Sequence, residues 1–531
     1  MSKKELELKR AKSPESVGVS SSEILRFFED MEKNDLEVHS LMVVRNGEVA
    51  CECYRYPFAA DLPHTMYSVS KSWIATAIGL ACDEKLITLN TRVADIFPEK
   101  MPLETDLYLE KLTVGHLVSM QGGKNPSLLA DKSKINWLDY YFNCPWSFEP
   151  GKDYLYVNEN MYVLAKIINR VTGMTVNEYL KPRLYDPLGI DVPFWEMDAD
   201  KVEAGGWGLY VTTEDLMKLM LCYHNGGVYQ GKQVLPAWWV KEATSVIADN
   251  SANKEIDDQG GYGYGFWTNV TCPDSYRCNG MFSQLGIVFK EYDAVVVITS
   301  AIPQIQQGCD LIWRHFPAAF IEKDSEKTVE DFAEKIKSYP IDKPKSSFHS
   351  SMEKQLVGKT ICVNKNLLLN AIGFPVSMLP LAVTYMTTDK AGNVDKIQLA
   401  FGDNYMKMRW TEGDEINTIC AGTDGVLRSS EMTLGTISYK VFSSAYWESE
   451  EVLIVEVRPV TTIAKRILRF EFHGNRVEII PSSTPSVHKI ADFLGCVAYD
   501  LIKNENLLKA VPPFLKFVEV AVEPKMHGRL V

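Results

Sequence analysis

A change of pattern near residue 340 constrains this chain more than any other feature of its sequence. Before it, helix-like and strand-like periodicities alternate, whereas residues 355–531 consist of short β runs separated by turns. The charge changes there too: residues 1–340 carry 34 basic and 48 acidic side chains, and residues 341–531 carry 22 and 21. The intervening Pro340-Ile-Asp-Lys-Pro-Lys-Ser-Ser has the composition of a linker. The sequence therefore predicts an α+β domain at 1–338, a linker at 339–354 and a mostly β accessory domain at 355–531.

Local patterns predict the main elements on either side of that change. The runs Leu41–Val44 and Glu48–Tyr54 are rich in β-forming residues and are joined by Asn46-Gly47, a dipeptide typical of tight hairpins. An apolar stripe with helical spacing predicts a helix over Ser68–Cys82. The other predicted helices are Met161–Val171, Asp215–Cys222, Thr328–Ser338 and Val487–Lys503. The other predicted strands are Tyr262–Thr268, Leu285–Phe289, Ala294–Ser300, Val452–Val457, Ile467–Phe472 and Arg476–Ile480.

The overall charge and the cysteines exclude several classes of protein. A net charge of −13 argues against a nucleic-acid partner, because phosphate backbones require a basic surface. The 11 cysteines are scattered without the spacing of a zinc site, so no metal and no cofactor is expected. Cys51 and Cys53 alternate on a predicted strand and are expected to pack in a core. These features favour a reduced, cytoplasmic protein.

Two segments bear on targeting and membranes. No apolar run follows the charged residues Met1–Arg10, so no secretory signal is expected. Asn366–Thr388 is uncharged and long enough to cross a bilayer, but it contains Pro375, Pro380 and Gly373. We interpret it as a buried hairpin and expect no membrane partner. A spanning helix stays the alternative, since proline alone does not exclude one.

Ser68-Val69-Ser70-Lys71 is the first motif with a chemical meaning. Its i,i+3 spacing at the start of the predicted helix puts the Ser68 hydroxyl and the Lys71 amine on one face, one turn apart. A serine hydroxyl becomes a strong nucleophile only when a neighbour accepts its proton, and a desolvated lysine can do so. The pair therefore predicts a nucleophile and its base.

Tyr156-Val157-Asn158, just before the helix predicted at Met161–Val171, is the second such motif. A tyrosine beside a lysine ammonium can shuttle protons, because the positive charge lowers the pKa of the phenol. Asn158 can accept a hydrogen bond from the lysine and offer its amide to a substrate. The structural alternative makes Tyr156 an aromatic residue at a strand end and Asn158 the N-cap of the helix.

With both motifs in place, the chain resembles the serine β-lactamase-like family. This family includes class C β-lactamases, penicillin-recognising peptidases, esterases and 6-aminohexanoate-dimer hydrolases. The similarity extends over about residues 12–320. It implies an antiparallel sheet flanked by helices, with a helical subdomain and the site between them. The matching segments are Ser13–Gly18, Leu41–Gly47, Tyr67–Ser72, Leu112–Met120, Glu149–Lys152, Tyr156–Asn158, Val171–Gly173, Pro187–Gly189, Ala204–Gly206 and Gly226–Gly227.

The resemblance assigns roles to the residues of both motifs. Ser68 matches the nucleophile that is acylated, and Lys71 matches its proton acceptor. Tyr156 matches the tyrosine that shuttles protons, and Asn158 matches the asparagine that contacts the substrate amide.

The family's third motif, Lys/His-x-Gly on the strand beside the site, is matched imperfectly by Cys278-Asn279-Gly280. By resemblance, Gly280 leaves room for an acyl group, and the N–H of Met281 forms the oxyanion hole with that of Ser68. Cys278 stands where a cation is usual. Alternation along the strand places Arg277 on the opposite face, so we do not expect Arg277 to replace the missing charge.

This departure favours the esterase and amide-hydrolase branch. The cation at that position suits substrates with a carboxylate, and Gly280-Met-Phe-Ser-Gln284 is close to the Gly-x-x-Gly-Gln of that branch. The sequence therefore predicts a serine hydrolase acting on a small ester or amide through an acyl-enzyme. The alternatives are a β-lactamase or D-amino-acid peptidase, and a catalytically silent binding protein of the same fold. Assembly into a homo-oligomer stays open.

Overall fold

The chain forms two compact units in the computed structural model. One unit consists of Met1–Arg55 and Ala59–Tyr339, and the other of Tyr56–Phe58 and Pro340–Val531. The structure describes residues 6–102, 106–126, 135–321, 339–364, 393–435, 437–490 and 523–531, together with residues 324, 332, 335, 336, 378, 509 and 513.

Three sequence predictions fall wholly or partly outside the described residues. The helix predicted at Thr328–Ser338 is described only at Phe332, Lys335 and Ile336, which are helical. The uncharged segment Asn366–Thr388 is described only at Met378. The last predicted helix is described from Val487 to Ile490, which is helical, and not beyond.

The described part of the first unit contains helices and strands throughout its length. Its α-helices are α1 (Ser21–Lys33), α2 (Ser70–Asp83), α3 (Val93–Ile96), α4 (Leu107–Lys111), α5 (Val114–Val118), α6 (Trp137–Asn143), α7 (Asn158–Thr172), α8 (Val176–Leu180), α9 (Asp186–Leu188), α10 (Thr213–His224), α11 (Ala237–Ala243) and α12 (Ile305–Ala319). Its strands are β1 (Lys9–Arg10), β2 (Val38–Arg45), β3 (Glu48–Tyr54), β4 (His64–Thr65), β5 (Phe194–Trp195), β6 (Leu209–Val211), β7 (Val228–Tyr229), β8 (Lys232–Gln233), β9 (Trp267–Thr268), β10 (Ser275–Gly280), β11 (Gln284–Phe289) and β12 (Ala294–Ser300).

A seven-stranded sheet with the order β1-β3-β2-β12-β11-β10-β9 organises this unit, and apart from the β1–β3 pair it is antiparallel. The hairpin predicted at Asn46-Gly47 is confirmed, since both residues have the positive φ that this turn requires (51° and 75°). Helices α1 and α12 cover one face of the sheet. Cys51 and Cys53 pack in the core formed there, as predicted. The predicted α+β architecture is confirmed.

Helix α2 is buried on nearly every side, which its single predicted apolar stripe did not indicate. Lys71 and Thr76 are as enclosed as Trp73. At Gly79 a Cβ would lie 2.3 Å from the Trp239 ring, so a neighbouring helix packs directly on its backbone. The motif Ser68–Lys71 therefore opens a central helix of the unit.

The strand predicted at Tyr262–Thr268 is too long, because only Trp267–Thr268 pairs as a strand of the sheet. The glycines in this segment explain the difference. Gly261 and Gly265 take positive φ values of 111° and 80°, and a Cβ on Gly263 would lie 2.1 Å from the Ala243 carbonyl oxygen. The backbone therefore bends and packs closely against its neighbours instead of extending.

The second unit is mostly β, as predicted. Its described elements are α13 (Met352–Leu356), β13 (Ile361–Val363), β14 (Val394–Phe401), β15 (Tyr405–Glu412), β16 (Glu415–Gly422), β17 (Arg428–Leu434), β18 (Ile437–Ser449), β19 (Val452–Pro459), β20 (Lys465–His473), β21 (Arg476–Thr484) and β22 (Met526–Leu530). The ten strands form one sheet in the order β16-β15-β14-β13-β22-β21-β20-β19-β18-β17. An additional parallel pairing of Gly422 with Ser444 closes the sheet on itself.

The stretch with linker composition contains buried residues of this second unit. The Asp342 carboxylate is buried and pairs with Arg458 at 2.5 Å and with Lys465 at 2.9 Å. Ser350 is also buried and donates a hydrogen bond to the Glu450 carbonyl oxygen. Among the described residues of the whole chain, no helix has both the length and the apolarity needed to span a membrane.

Candidate active site

A short 3-10 helix, Tyr67–Val69, carries Ser68 directly before α2. Tyr67 has a positive φ of 45°, which is uncommon for a bulky residue and gives a sharp turn at the entry to the helix. The Ser70 hydroxyl fixes this turn by donating to the Tyr67 carbonyl oxygen at 2.6 Å. Ser68 is left partly exposed on an otherwise buried turn.

Lys71 is 1% exposed, and its amine contacts three oxygen atoms. Nζ lies 2.8 Å from Ser68 Oγ, 2.6 Å from Asn158 Oδ1 and 2.7 Å from the carbonyl oxygen of Gly206. Carbonyl and amide oxygens only accept hydrogen bonds, so two N–H groups of Lys71 must face Asn158 and Gly206. The remaining position of the tetrahedral nitrogen points to Ser68. It carries a hydrogen in the ammonium form and the lone pair in the neutral amine.

Gly206 belongs to the site, although the sequence assigned it no role. A Cβ at Gly206 would lie 2.6 Å from the Asn158 carbonyl oxygen, and one at Gly205 would lie 2.5 Å from the Met161 carbonyl oxygen. Two glycines thus let this loop lie flat on the first turn of α7, which brings the Gly206 carbonyl to Lys71. The only signal in the sequence was the family segment Ala204–Gly206.

Tyr156 stands on the other side of the nucleophile. Its hydroxyl forms a hydrogen bond with Ser68, and Lys71 Nζ lies 4.7 Å from the centroid of its ring. Burial raises the pKa of the Tyr156 phenol well above its ordinary value, outweighing the Ser68 hydrogen bond and the positive charge of Arg277, which both lower it. The lowered phenol pKa that the sequence predicted is therefore wrong, and the Tyr156 phenol is protonated near neutral pH.

Asn158 is the first residue of α7 and not its N-cap, so the structural alternative for Asn158 is wrong. The N-cap is Val157, whose side chain caps nothing. Met120, a residue that the sequence did not single out, contacts this segment. Its carbonyl accepts from Leu155 N–H at 2.9 Å, and its sulfur lies 3.5 Å from Val157 N and 3.7 Å from Asn160 Nδ2.

The end of strand β10 packs against the turn that carries Ser68. A Cβ at Gly280 would lie 2.4 Å from the Met66 carbonyl oxygen and 3.3 Å from Val69 Cγ2. Glycine is thus required here by the protein's own backbone, in addition to any need of the substrate. Met281 follows Gly280 and is partly exposed next to this contact.

The turn Met281–Ser283 is held by the side chain of Gln284. Gln284 Nε2 donates to the carbonyl oxygens of Met281 and Phe282 at 3.1 and 3.2 Å. Phe282 and Ser283 both have a φ of 61°, so Ser283 takes a conformation that favours glycine. Ser283 stands at the second glycine of Gly-x-x-Gly-Gln, so the turn Gly280–Gln284 keeps the backbone conformation of that motif with a serine in place of the glycine.

Cys278 lies beneath the sheet, where its sulfur is 3.6 Å from Met220 Sδ of α10. Burial raises the pKa of the Cys278 thiol to about 12, so the side chain is neutral. It supplies no charge in place of the usual cation.

Arg277, on the opposite face of β10, is fully buried. It donates to the Asp257 carbonyl oxygen and to Asn269, and it pairs with Asp258 at 2.5 Å. Its guanidinium lies 5.6 Å from the centroid of the Trp267 ring. Arg277 points away from Cys278, as predicted. Its charge lowers the pKa of the Tyr156 phenol, an effect that no sequence pattern indicated.

Aromatic rings form one wall of the site. The Tyr156 ring lies 5.3 Å from that of Trp267 and 6.0 Å from that of Tyr262, and Tyr154 packs against both of these neighbours. Tyr154, Tyr262 and Trp267 are buried, and only Tyr156 is partly exposed, so these rings fix the position of the Tyr156 ring. Among the described residues, no group of His, Cys, Asp and Glu side chains is arranged to hold a metal ion.

Comparisons with known proteins identify the family of this chain. A family model described as beta-lactamase matches residues 26–318. Over 296 residues the chain is 27% identical to the 6-aminohexanoate-dimer hydrolase of Paenarthrobacter ureafaciens, covering 50% of this chain and 72% of that protein. It is 26% identical to the lovastatin esterase of Penicillium rubens over 174 residues, or 27% of this chain and 43% of that one. A solved structure, the octameric penicillin-binding protein homologue from Pyrococcus abyssi, is 15% identical with a TM-score of 0.44, covering 86% of this chain and 97% of that one. Because the family model spans more than half of the chain, the resemblance found in the sequence is confirmed, and the chain belongs to the beta-lactamase family of serine hydrolases.

Proposed function

We propose that this enzyme hydrolyses small esters or amides through an acyl-enzyme on Ser68. The observation that carries the proposal is the set of three contacts around the Lys71 amine. Since Asn158 and Gly206 each hold one N–H, the lone pair of a neutral Lys71 is aimed at the Ser68 hydroxyl. A buried amine is easier to deprotonate than an exposed one, because burial disfavours the charged form.

In the acylation step, Lys71 accepts the Ser68 proton while Oγ forms a bond with the substrate carbonyl carbon. The N–H groups of Ser68 and Met281 stabilise the negative charge that develops on the carbonyl oxygen. When the bond to the leaving group breaks, Tyr156 gives that group its phenolic proton, and the proton on Lys71 returns to Tyr156. Asn158 contributes its amide to substrate binding.

Water completes the cycle. A water molecule transfers a proton to Lys71 and attacks the acyl carbon, the bond to Ser68 Oγ breaks, and Oγ takes the proton back from Lys71. The products are the free acid and the regenerated serine, so no cofactor is consumed.

The substrate class follows from the strand beside the nucleophile. Cys278 is neutral and Arg277 is buried in an ion pair, so neither offers a free cation to a substrate carboxylate. An ester or amide without a carboxylate therefore fits better than a penicillin or a D-amino-acid peptide. The names of the hydrolase and esterase relatives support hydrolysis of an amide or ester bond.

The rival proposal is a catalytically silent binding protein of the same fold. The neutral Cys278 favours it, but the complete contacts among Ser68, Lys71, Asn158 and Tyr156 favour catalysis. The cytoplasmic location, the homo-oligomer and the role of the second unit stay predictions.

The test is intact-mass analysis after incubation with a fluorophosphonate probe. We expect one adduct on the wild type and on Ser72→Ala, a buried serine of the same helix, and none on Ser68→Ala. Turnover of p-nitrophenyl butyrate with little turnover of nitrocefin would then support the ester branch. Absence of an adduct on the wild type across mildly acidic to mildly alkaline pH would overturn the proposal.

A further inference from the structure

Arg277 forms an ion pair with Asp258 and lies against one ring of the aromatic wall. The guanidinium lies 5.6 Å from the Trp267 ring centroid, and that ring lies 5.3 Å from the ring of Tyr156. Trp267 thus contacts both Arg277 and Tyr156. An arginine over an aromatic face is a favourable and geometrically fixed contact.

The position of Arg277 is fixed by more than Asp258. Its guanidinium also donates to the Asp257 carbonyl oxygen at 2.9 Å and to Asn269 Oδ1. The Asp257 carboxylate is itself held by Gln306 and Trp313 of α12 at 2.7 and 2.8 Å. The Arg277 side chain is fully buried and Asp258 is 18% exposed, so the charge of Arg277 is weakly screened by solvent.

Tyr156 receives opposing influences from the groups that surround it. Lys71 of α2 faces its ring, Ser68 forms a hydrogen bond with its hydroxyl, and Tyr262 packs edge-on against it. The charge of Asp258 raises the pKa of the phenol and that of Arg277 lowers it. The two charges of the ion pair thus act on Tyr156 with opposite sign.

We propose that Arg277 and Asp258 are positioning residues that act through Trp267 to set how readily Tyr156 gives its proton to the leaving group. The inference rests on the proposed function. It predicts which leaving groups the enzyme accepts. The positive charge of Arg277 makes Tyr156 a better acid, and an alkoxide leaving group must be protonated, so the departure of an alkoxide depends on Arg277. A p-nitrophenolate leaves without a proton, so its departure does not depend on Arg277.

The experiment compares kcat/KM for ethyl butyrate and p-nitrophenyl butyrate in the full chain. Both esters give the same butyryl-enzyme, so their ratio of kcat/KM isolates the step in which the leaving group departs. We expect Arg277→Met to lower the ethyl-to-nitrophenyl ratio roughly three- to tenfold and Asp258→Asn to raise it. Arg277→Lys keeps the charge and is expected to keep the ratio close to that of the wild type.

Turnover of p-nitrophenyl butyrate separates the two proposals. If it survives in all variants and the ratio is unchanged, the role of Arg277 is overturned while the Ser68 hydrolase stands. If it is absent in the wild type, the proposed function itself fails. A merely structural role would lower both rates together, and changes of the same direction in Arg277→Met and Asp258→Asn would also overturn the inference.

Discussion

Lys71 Nζ and the carbonyl oxygen of Gly206 lie 2.7 Å apart, although 135 positions separate the two residues in the chain. This contact, together with that to Asn158, uses both N–H groups that a neutral amine possesses. The orientation of the Lys71 amine is thus set partly by a backbone carbonyl, which a side-chain substitution does not remove.

Lys71→Arg is expected to lose about 100- to 10,000-fold in kcat/KM for p-nitrophenyl butyrate. A guanidinium stays protonated at any pH at which the protein is folded, so it cannot take the Ser68 proton. Lys166→Arg is the matched control, because Lys166 is another buried lysine and pairs with Asp198 and Asp200. If the Lys71→Arg variant kept more than about a tenth of the wild-type rate, Lys71 would not be the base.

Gly206→Ala is expected to reduce kcat/KM about tenfold or more, since the added Cβ would lie 2.6 Å from the Asn158 carbonyl oxygen and displace the loop from Lys71. The control is Gly231→Ala, where no atom lies within 4 Å of the added Cβ and the positive φ of 74° lowers stability through backbone strain. Thermal unfolding and kcat/KM are measured for both variants. Only Gly206→Ala should lose activity beyond its loss of thermal stability, and equal losses would argue against a role for the Gly206 carbonyl.

Cys278→Lys is expected to destabilise the fold by about 3 kcal/mol or more without conferring nitrocefin hydrolysis. The position faces Met220 in the interior, so an ammonium there would be buried without a partner. Cys278→Ala should cost roughly 1–2 kcal/mol. Urea unfolding measures both effects, and a stable lysine variant that hydrolyses nitrocefin would show that this side chain can reach the substrate.

Acidification is expected to weaken the fold through His64. Burial and the neighbouring His39 lower the pKa of His64 to about 3, whereas an unfolded histidine has a pKa near 6.5. Between these values the unfolded chain binds a proton that the folded chain does not. The contribution of His64 is therefore fully present above about pH 6.5 and is lost as the pH falls towards 3, by about 1.4 kcal/mol per pH unit.

Urea unfolding at several pH values between about 7 and 4 measures this dependence. His64 lies in a buried chain of hydrogen bonds, with Nε2 2.9 Å from His39 Nδ1 and Nδ1 2.9 Å from the Thr65 carbonyl oxygen. His39 in turn contacts Glu37 at 2.9 Å. His64→Gln should flatten the pH dependence. An unchanged slope would mean that His64 does not titrate differently in the two states.

The sequence was most informative where the chemistry depends on neighbouring residues. Ser68 and Lys71 are one helical turn apart, so their contact follows from local geometry. The contacts of Gly206 and Met120 could not be predicted, because they depend on where distant loops return to the site. Glycine's lack of a side chain makes its role visible only once the packing around it is known.

Alternation along β10 correctly placed Arg277 and Cys278 on opposite faces of the strand. It could not indicate which of the two side chains affects the pKa of Tyr156. Trp267, on the neighbouring strand, contacts both Arg277 and Tyr156, and these contacts depend on side-chain packing that strand periodicity does not report. The pKa of Tyr156 was misjudged for a related reason. The effect of a neighbouring charge can be guessed from a motif, whereas the degree of burial cannot.

The assignment of Tyr56–Phe58 to the second unit has a consequence for the synthesis of the protein and for its truncation into fragments. The Ile341 N–H donates to the Tyr56 carbonyl oxygen at 3.1 Å, and the Tyr56 ring packs 5.9 Å from that of Phe442. During synthesis these three residues leave the ribosome long before the strands they join, so the second unit is completed by a piece that was made first. A fragment that begins at Pro340 lacks this piece, and a truncation intended to isolate the second unit has to supply it.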